Sequence, residues 1–194
     1  MTGTPIEAIV IGASAGAVQA LSHLLPMLPA DYALPVLVVV HVPADRTNAL
    51  VPLFQAKSRL VVKEAEDKEP IQPGTVYFAP SDYHLLVEAD RTVSLSSDLP
   101  VLHARPAIDV LFESAADAYG PALAGVVLTG ANEDGAEGLR AIEAAGGLAL
   151  VQAAAEAYAP AMPAAALARC VGARAMPLAA IGECLLKLGG RGTG

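Results

Sequence analysis

Apolar positions along the chain follow two alternating rhythms. Short continuous apolar runs, such as AIVI at residues 8–11, VLVVV at 36–40 and LAGVVL at 123–128, are separated by stretches in which apolar residues recur every three or four positions. The runs read as strands buried on both faces, and the periodic stretches as helices laid over them. The pattern therefore predicts an α/β fold: a doubly wound, mainly parallel, Rossmann-like sheet with helices on both faces.

The expected strands cover residues 7–11, 36–41, 60–63, 75–79, 123–128 and 147–151. The expected helices cover 15–28, with Val18, Leu21, Leu25 and Leu28 on one stripe, then 45–57, 106–119, 135–145, 160–169 and 178–188. Pro106 suits the first turn of its helix. HLLVEADRTVSLS reads as two short strands around an Ala-Asp-Arg turn, a small antiparallel hairpin. The segment EAEDKEPIQPG, rich in acids and turn formers, reads as a solvated surface loop. No internal repeat or linker interrupts this rhythm, so residues 1–188 are expected to form one domain and GGRGTG, residues 189–194, a flexible tail.

Composition narrows the picture. The 194 residues, 54% of them hydrophobic, suffice for one substantial core. Twelve Lys and Arg against 20 Asp and Glu argue against a phosphate-backbone footprint, so nucleic acid is not an expected partner. The longest apolar run, ALPVLVVVHV at residues 33–42, is broken by Pro35 and His41 and is much shorter than the roughly 20 residues of a membrane-spanning helix, so no membrane insertion is expected. No basic segment precedes the first strand, and Cys170 and Cys184 form neither a metal spacing nor a disulfide framework. These features fit a cytoplasmic protein.

The candidate chemistry lies where strands end. After the first strand the chain reads Gly12-Ala13-Ser14-Ala15-Gly16. A dinucleotide cradle would need Gly at positions 14 and 17, where Ser14 and Ala17 stand. Two readings of Ser14 stay open: a nucleophile presented on a sharp strand-to-helix turn, or a helix N-cap. A serine nucleophile needs a base from a neighbouring strand end, and His41 closes PVLVVVH. His23, His84 and His103 fit less well and read as surface or turn residues. An orienting carboxylate is available in TGANEDG, with Asp134 the candidate, Glu133 its rival, and capping of the following helix the bland role for Asp134. The order Ser, His, acid differs from the Ser, acid, His order of α/β-hydrolases, which weakens a generic esterase reading.

Six ordered segments, IVIGASAGAVQAL, VLVVVHVP, EAEDKEPIQPGTVYFAPSDYHL, RPAIDVLF, VVLTGANEDGAEGL and AMPAAAL, resemble the catalytic domain of the CheB-type chemotaxis protein-glutamate methylesterases. The resemblance implies Ser14 as nucleophile, His41 as base and Asp134 as its partner, with no metal or organic cofactor. It implies hydrolysis of γ-glutamyl methyl esters on methylated chemoreceptors, with deamidation of receptor glutamines in some members. Backbone amides around Ala15, Gly16, Ala131, Asn132 and Glu133 are the expected oxyanion donors and pocket. The chain departs from the family's usual Gly-Ala-Ser-Thr-Gly-Gly at Ala15 and Ala17, from Gln-His-Met-Pro at Val40 and Val42, and from Thr-Gly-Met-Gly at Ala131 and Asn132. In the family a receiver domain gates the esterase; here a stand-alone enzyme is expected, ungated or served by a separate receiver protein. The rival expectations are a small-molecule carboxylesterase with the same triad and a non-catalytic interaction module.

Overall fold

The structure is a computed structural model that describes residues 4–41 and 49–190. Its centre is a sheet of seven parallel strands: β1 (Ala8–Ala13), β2 (Val36–Val40), β3 (Val61–Glu64), β4 (Thr75–Phe78), β7 (Leu123–Val127), β8 (Leu148–Gln152) and β9 (Arg174–Met176), ordered β3-β4-β2-β1-β7-β8-β9. Between β4 and β7 the chain makes an antiparallel hairpin of β5 (His84–Val87) and β6 (Val93–Ser96). The order runs outward from β1 to one side, then returns and continues on the other, so the crevice of a doubly wound sheet opens at the carboxyl end of β1.

Alternation along β1 explains why both faces are covered. Ala8 and Val10 point into one layer, with α3 (Ile108–Tyr119), α4 (Ala136–Ala144) and α5 (Ala161–Arg169). Ile9, Ile11 and Ala13 point into the other, with α1 (Ala17–Leu24), α2 (Leu50–Gln55) and α6 (Leu178–Gly189). Leu37 and Val39 of β2 join the first layer, Val36, Val38 and Val40 the second. A strand of this kind has no solvent face, which is why its sequence reads as an unbroken apolar run.

Several local expectations are corrected. The first helix is shorter than residues 15–28, because Gly16 adopts a left-handed conformation (φ 85°) before it, and Pro26, lacking an amide, turns the far end into the 3-10 segment Leu25–Met27. Its buried stripe is Ala17, Ala20, Leu21 and Leu24, whereas Val18 is exposed. Pro106 lies outside α3, whose preceding residue, Ala107, is extended. The acidic segment is not simply solvated: Glu64 ends β3, and Glu69 accepts from Lys63 Nζ (2.7 Å) and from the Glu66 amide (2.7 Å). The three-residue edge strand β9, with two exposed residues, carries too little apolar pattern to read from sequence. Of the helix expected over 45–57, residues 45–48 lie outside the described residues, and the remainder carries α2 over Leu50–Gln55. The hairpin, α4 and α5 stand within two residues of their expected bounds.

Candidate active site

The turn after β1 is tied down by the strand beside it. The Ser14 amide donates to Thr129 O (2.9 Å), Thr129 Oγ1 donates to Ala15 O (2.8 Å), and Ser14 O accepts from the Ala17 amide (2.9 Å). Thr129 is in turn fixed by its amide's bond to Gln152 Oε1 (2.9 Å), and its hydroxyl accepts from the Ala159 amide (2.9 Å). A Cβ on Gly16 would stand 2.7 Å from Tyr158 Cβ and 3.0 Å from Thr129 Cγ2, so both its conformation and its surroundings require glycine. Ser14 is left partly exposed, and its hydroxyl has no hydrogen-bond partner among the described residues. It does not cap α1, which has no side-chain cap.

His41 stands at the end of β2, the strand hydrogen-bonded alongside β1. Its Nε2 lies 2.7 Å from Asp134 Oδ2. Asp134 is fully buried and accepts two further bonds, from the Ile108 amide at Oδ2 (2.7 Å) and the Asp109 amide at Oδ1 (2.9 Å). These amides open α3, so Asp134 caps a helix other than the one it precedes; α4 begins after Gly135, a left-handed residue with no side-chain cap. The close approach of α3 depends on Gly12 of β1, where a Cβ would stand 2.3 Å from Ile108 Cγ2.

With Nε2–H donated to the carboxylate, the imidazole keeps its lone pair on Nδ1, the reverse of the usual serine-hydrolase arrangement. Nδ1 makes a long contact of 3.5 Å with Asn132 Nδ2. Ser14 and His41 line one open cavity of about 480 Å³, with Gly16, Val18, Leu50 and Tyr158 around them. Such a set can carry acyl transfer: a hydroxyl without a partner among the described residues, an imidazole facing the same space, and a buried carboxylate that fixes the ring.

Of the other expected pocket residues, Gly16 lines the cavity and Asn132 reaches His41, while Ala131 and Glu133 are exposed. The amides of Ala15, Gly16 and Ala131 donate to no other described residue. Of the remaining histidines, His23 and His103 are exposed. His84 is not a surface residue: it is buried, its Nδ1 accepting from the Ala107 amide (3.2 Å) and its Nε2 donating to Leu99 O (3.0 Å). Sequence reasoning missed Thr129, Tyr158 and Asp109. Thr129 and Asp109 carried a signal, as polar residues in otherwise apolar buried runs, VVLT and AIDVLF.

A parallel sheet with Ser14, His41 and Asp134 beyond the carboxyl ends of three adjacent strands defines a doubly wound α/β protein. The chain belongs to the CheB methylesterase family, whose model matches residues 9–185. A Leptospira interrogans relative, provisionally named protein-glutamate methylesterase/protein-glutamine glutaminase, is 48% identical over 146 residues, 75% of this chain and 76% of its own length. Proteins with that same name from Symbiobacterium thermophilum and Bordetella parapertussis are 35% and 39% identical over 97% and 95% of this chain. The chain spans about half the length of those two, 52% and 54%. The crystal structure of the Thermotoga maritima CheB methylesterase catalytic domain superposes with a TM-score of 0.88 at 32% identity, over 95% of this chain and 100% of that one.

Proposed function

We propose that this chain hydrolyses glutamate γ-methyl esters on the cytoplasmic helices of chemoreceptors through Ser14, His41 and Asp134. The observation that carries the reading is the 2.7 Å bond between His41 and buried Asp134 beside a cavity that Ser14 also lines. Family membership and the names of the relatives support the substrate class.

In the reaction, His41 Nδ1 takes the Ser14 proton as Oγ attacks the ester carbonyl, and Asp134 stabilises the imidazolium through Nε2–H. The amides of Ala15, Gly16 and Ala131 receive the oxyanion in place of side-chain donors, so Ala15 and Ala131 serve through their backbones. The imidazolium then gives that proton to the methoxy oxygen as its bond to the carbonyl carbon breaks, and methanol leaves. Water then attacks the acyl-Ser14 ester with His41 again as base, which releases the glutamate carboxylate and restores the serine. A glutamine side chain enters the same route with ammonia as leaving group. None of these steps calls on a metal or organic cofactor. We place the reaction in the cytoplasm, where those receptor helices lie.

Incubating the protein with a fluorophosphonate probe and with methylated receptor tests the proposal. The expected result is labelling at Ser14 and methanol release, both lost in Ser14→Ala. Turnover of p-nitrophenyl esters without methanol release from receptor would replace the substrate; no labelling at Ser14 would sink the mechanism.

A further inference from the structure

Helices α3 and α4 exchange caps. Neither has a side-chain N-cap of its own. Asp134, just before α4, accepts the first amides of α3, and Asp109, in the first turn of α3, returns the arrangement: its Oδ1 accepts from the amides of Gly135 (3.0 Å) and Gly138 (2.7 Å). The exchange requires the helices to touch, and Gly138 allows it, since a Cβ there would stand 2.5 Å from Phe112 Cβ and 3.1 Å from Asp109 Cα. Asp109 therefore grips the peptide bond that immediately follows Asp134.

We propose that Asp109 is a positioning residue of the hydrolytic site, holding the backbone of Asp134 so that its carboxylate meets His41 Nε2. The proposal rests on the reading of Ser14, His41 and Asp134 as the reacting triad. One short cap alone would fix one helix end; the reciprocal pair fixes the spacing of two helices and, with it, the depth at which Asp134 sits beneath the imidazole. Asp109 is 6% exposed. The titratable groups facing it are Asp134 from the loop before α4 and Glu113 one turn along α3, with His84 of β5 bonded to the neighbouring Ala107 amide. Among the described residues no Lys or Arg pairs with Asp109 or Asp134. Burial pushes the Asp109 carboxyl up to about 6, the charge of Asp134 adding to it and the Gly138 and Gly135 amides opposing it. Its grip is therefore that of an ionised acceptor at neutral pH and of a weaker, protonated one below pH 6.

The test is the pair Asp109→Ala and Asp109→Asn in the full chain, with kcat, KM and the rate of fluorophosphonate labelling measured where circular dichroism shows the variant folded. Asp109→Ala, with both amides released, is expected to lose on the order of tenfold or more in kcat at unchanged KM, and to lose labelling rate in proportion. Asp109→Asn, whose amide oxygen can accept both bonds, is expected to recover most of that loss at pH 7.5. Its acid limb should also lack the protonation step near pH 6 that the wild type has. A folded Asp109→Ala with wild-type kcat overturns the proposal. Should that variant fail to fold, an Asp109→Asn pH–rate profile superimposable on the wild type's overturns it instead. Absence of Ser14 labelling in the wild type is a different failure: it overturns the triad reading, and the positioning role with it.

Discussion

At the scale of single residues, the site combines a hydroxyl without a hydrogen-bond partner among the described residues with a heavily partnered carboxylate. If Ser14, His41 and Asp134 act as one unit, Ser14→Ala, His41→Ala and Asp134→Asn should each reduce ester hydrolysis by roughly a thousandfold or more, with double variants scarcely worse than singles. Additive losses in steady-state rates would speak against a shared step. Asp109 adds a pH dependence of stability whose sign follows from its shift. An Asp that titrates at 3.8 when unfolded and near 6 in the fold holds its proton more tightly in the fold. Stability contributed by that proton is present below pH 4 and is lost as pH rises towards 6. Asp109→Asn, neutral throughout, escapes this loss. Relative to wild type it should gain on the order of 2–3 kcal/mol between pH 4 and pH 7. Urea midpoints at the two pH values measure the difference.

At the scale of elements, the site depends on where glycine allows backbones to meet. Gly12→Ala would drive a methyl group into Ile108 and lift α3 from β1, with an expected cost of about 1–3 kcal/mol. Because Ile108 supplies an amide to Asp134, the same change should slow Ser14 labelling in the folded variant. Thr129→Val keeps the shape of the β7 end but removes the hydroxyl that bridges Ala15 O and the Ala159 amide. It should lower kcat more than it lowers the melting temperature, since the turn carrying Ser14 is loosened while the core is kept.

The elements also show what a sequence can disclose. Long apolar runs such as those in β1, β2 and β7 have no alternative to burial, so their positions, and the placing of Ser14, His41 and Asp134 at their ends, were legible. The bounds of α1 were not, because they depend on the left-handed Gly16 and on Pro26 interrupting a ladder that periodicity alone would continue. The burial of His84 and the capping exchange between α3 and α4 join residues more than 20 positions apart, and no local pattern announces them.

At the scale of the whole molecule, two apolar layers share one sheet, and every strand of its centre belongs to both. Loss of either layer removes support from the other, so unfolding should be a single cooperative event. Cys170 offers an independent probe: burial and Glu143 push its thiol up to about 12, and it is 1% exposed in the layer beneath α4 and α5. Alkylation of Cys170 by iodoacetamide at pH 8 should appear only as the far-UV signal is lost, with the esterase activity disappearing at the same urea concentration. A transition for activity that precedes the other two would show that the crevice opens by itself.

The order of the sheet has one more consequence. Ser14, His41 and Asp134 follow β1, β2 and β7, which are neighbours, while β3 and β9 form the two margins and the β5–β6 hairpin lies outside the main sheet. The margins are thus the parts of the sheet set farthest in strand order from Ser14, His41 and Asp134. Descendants of this chain are free to lengthen, shorten or cover those borders, and so to change the company the protein keeps, while the reaction at its middle is inherited intact.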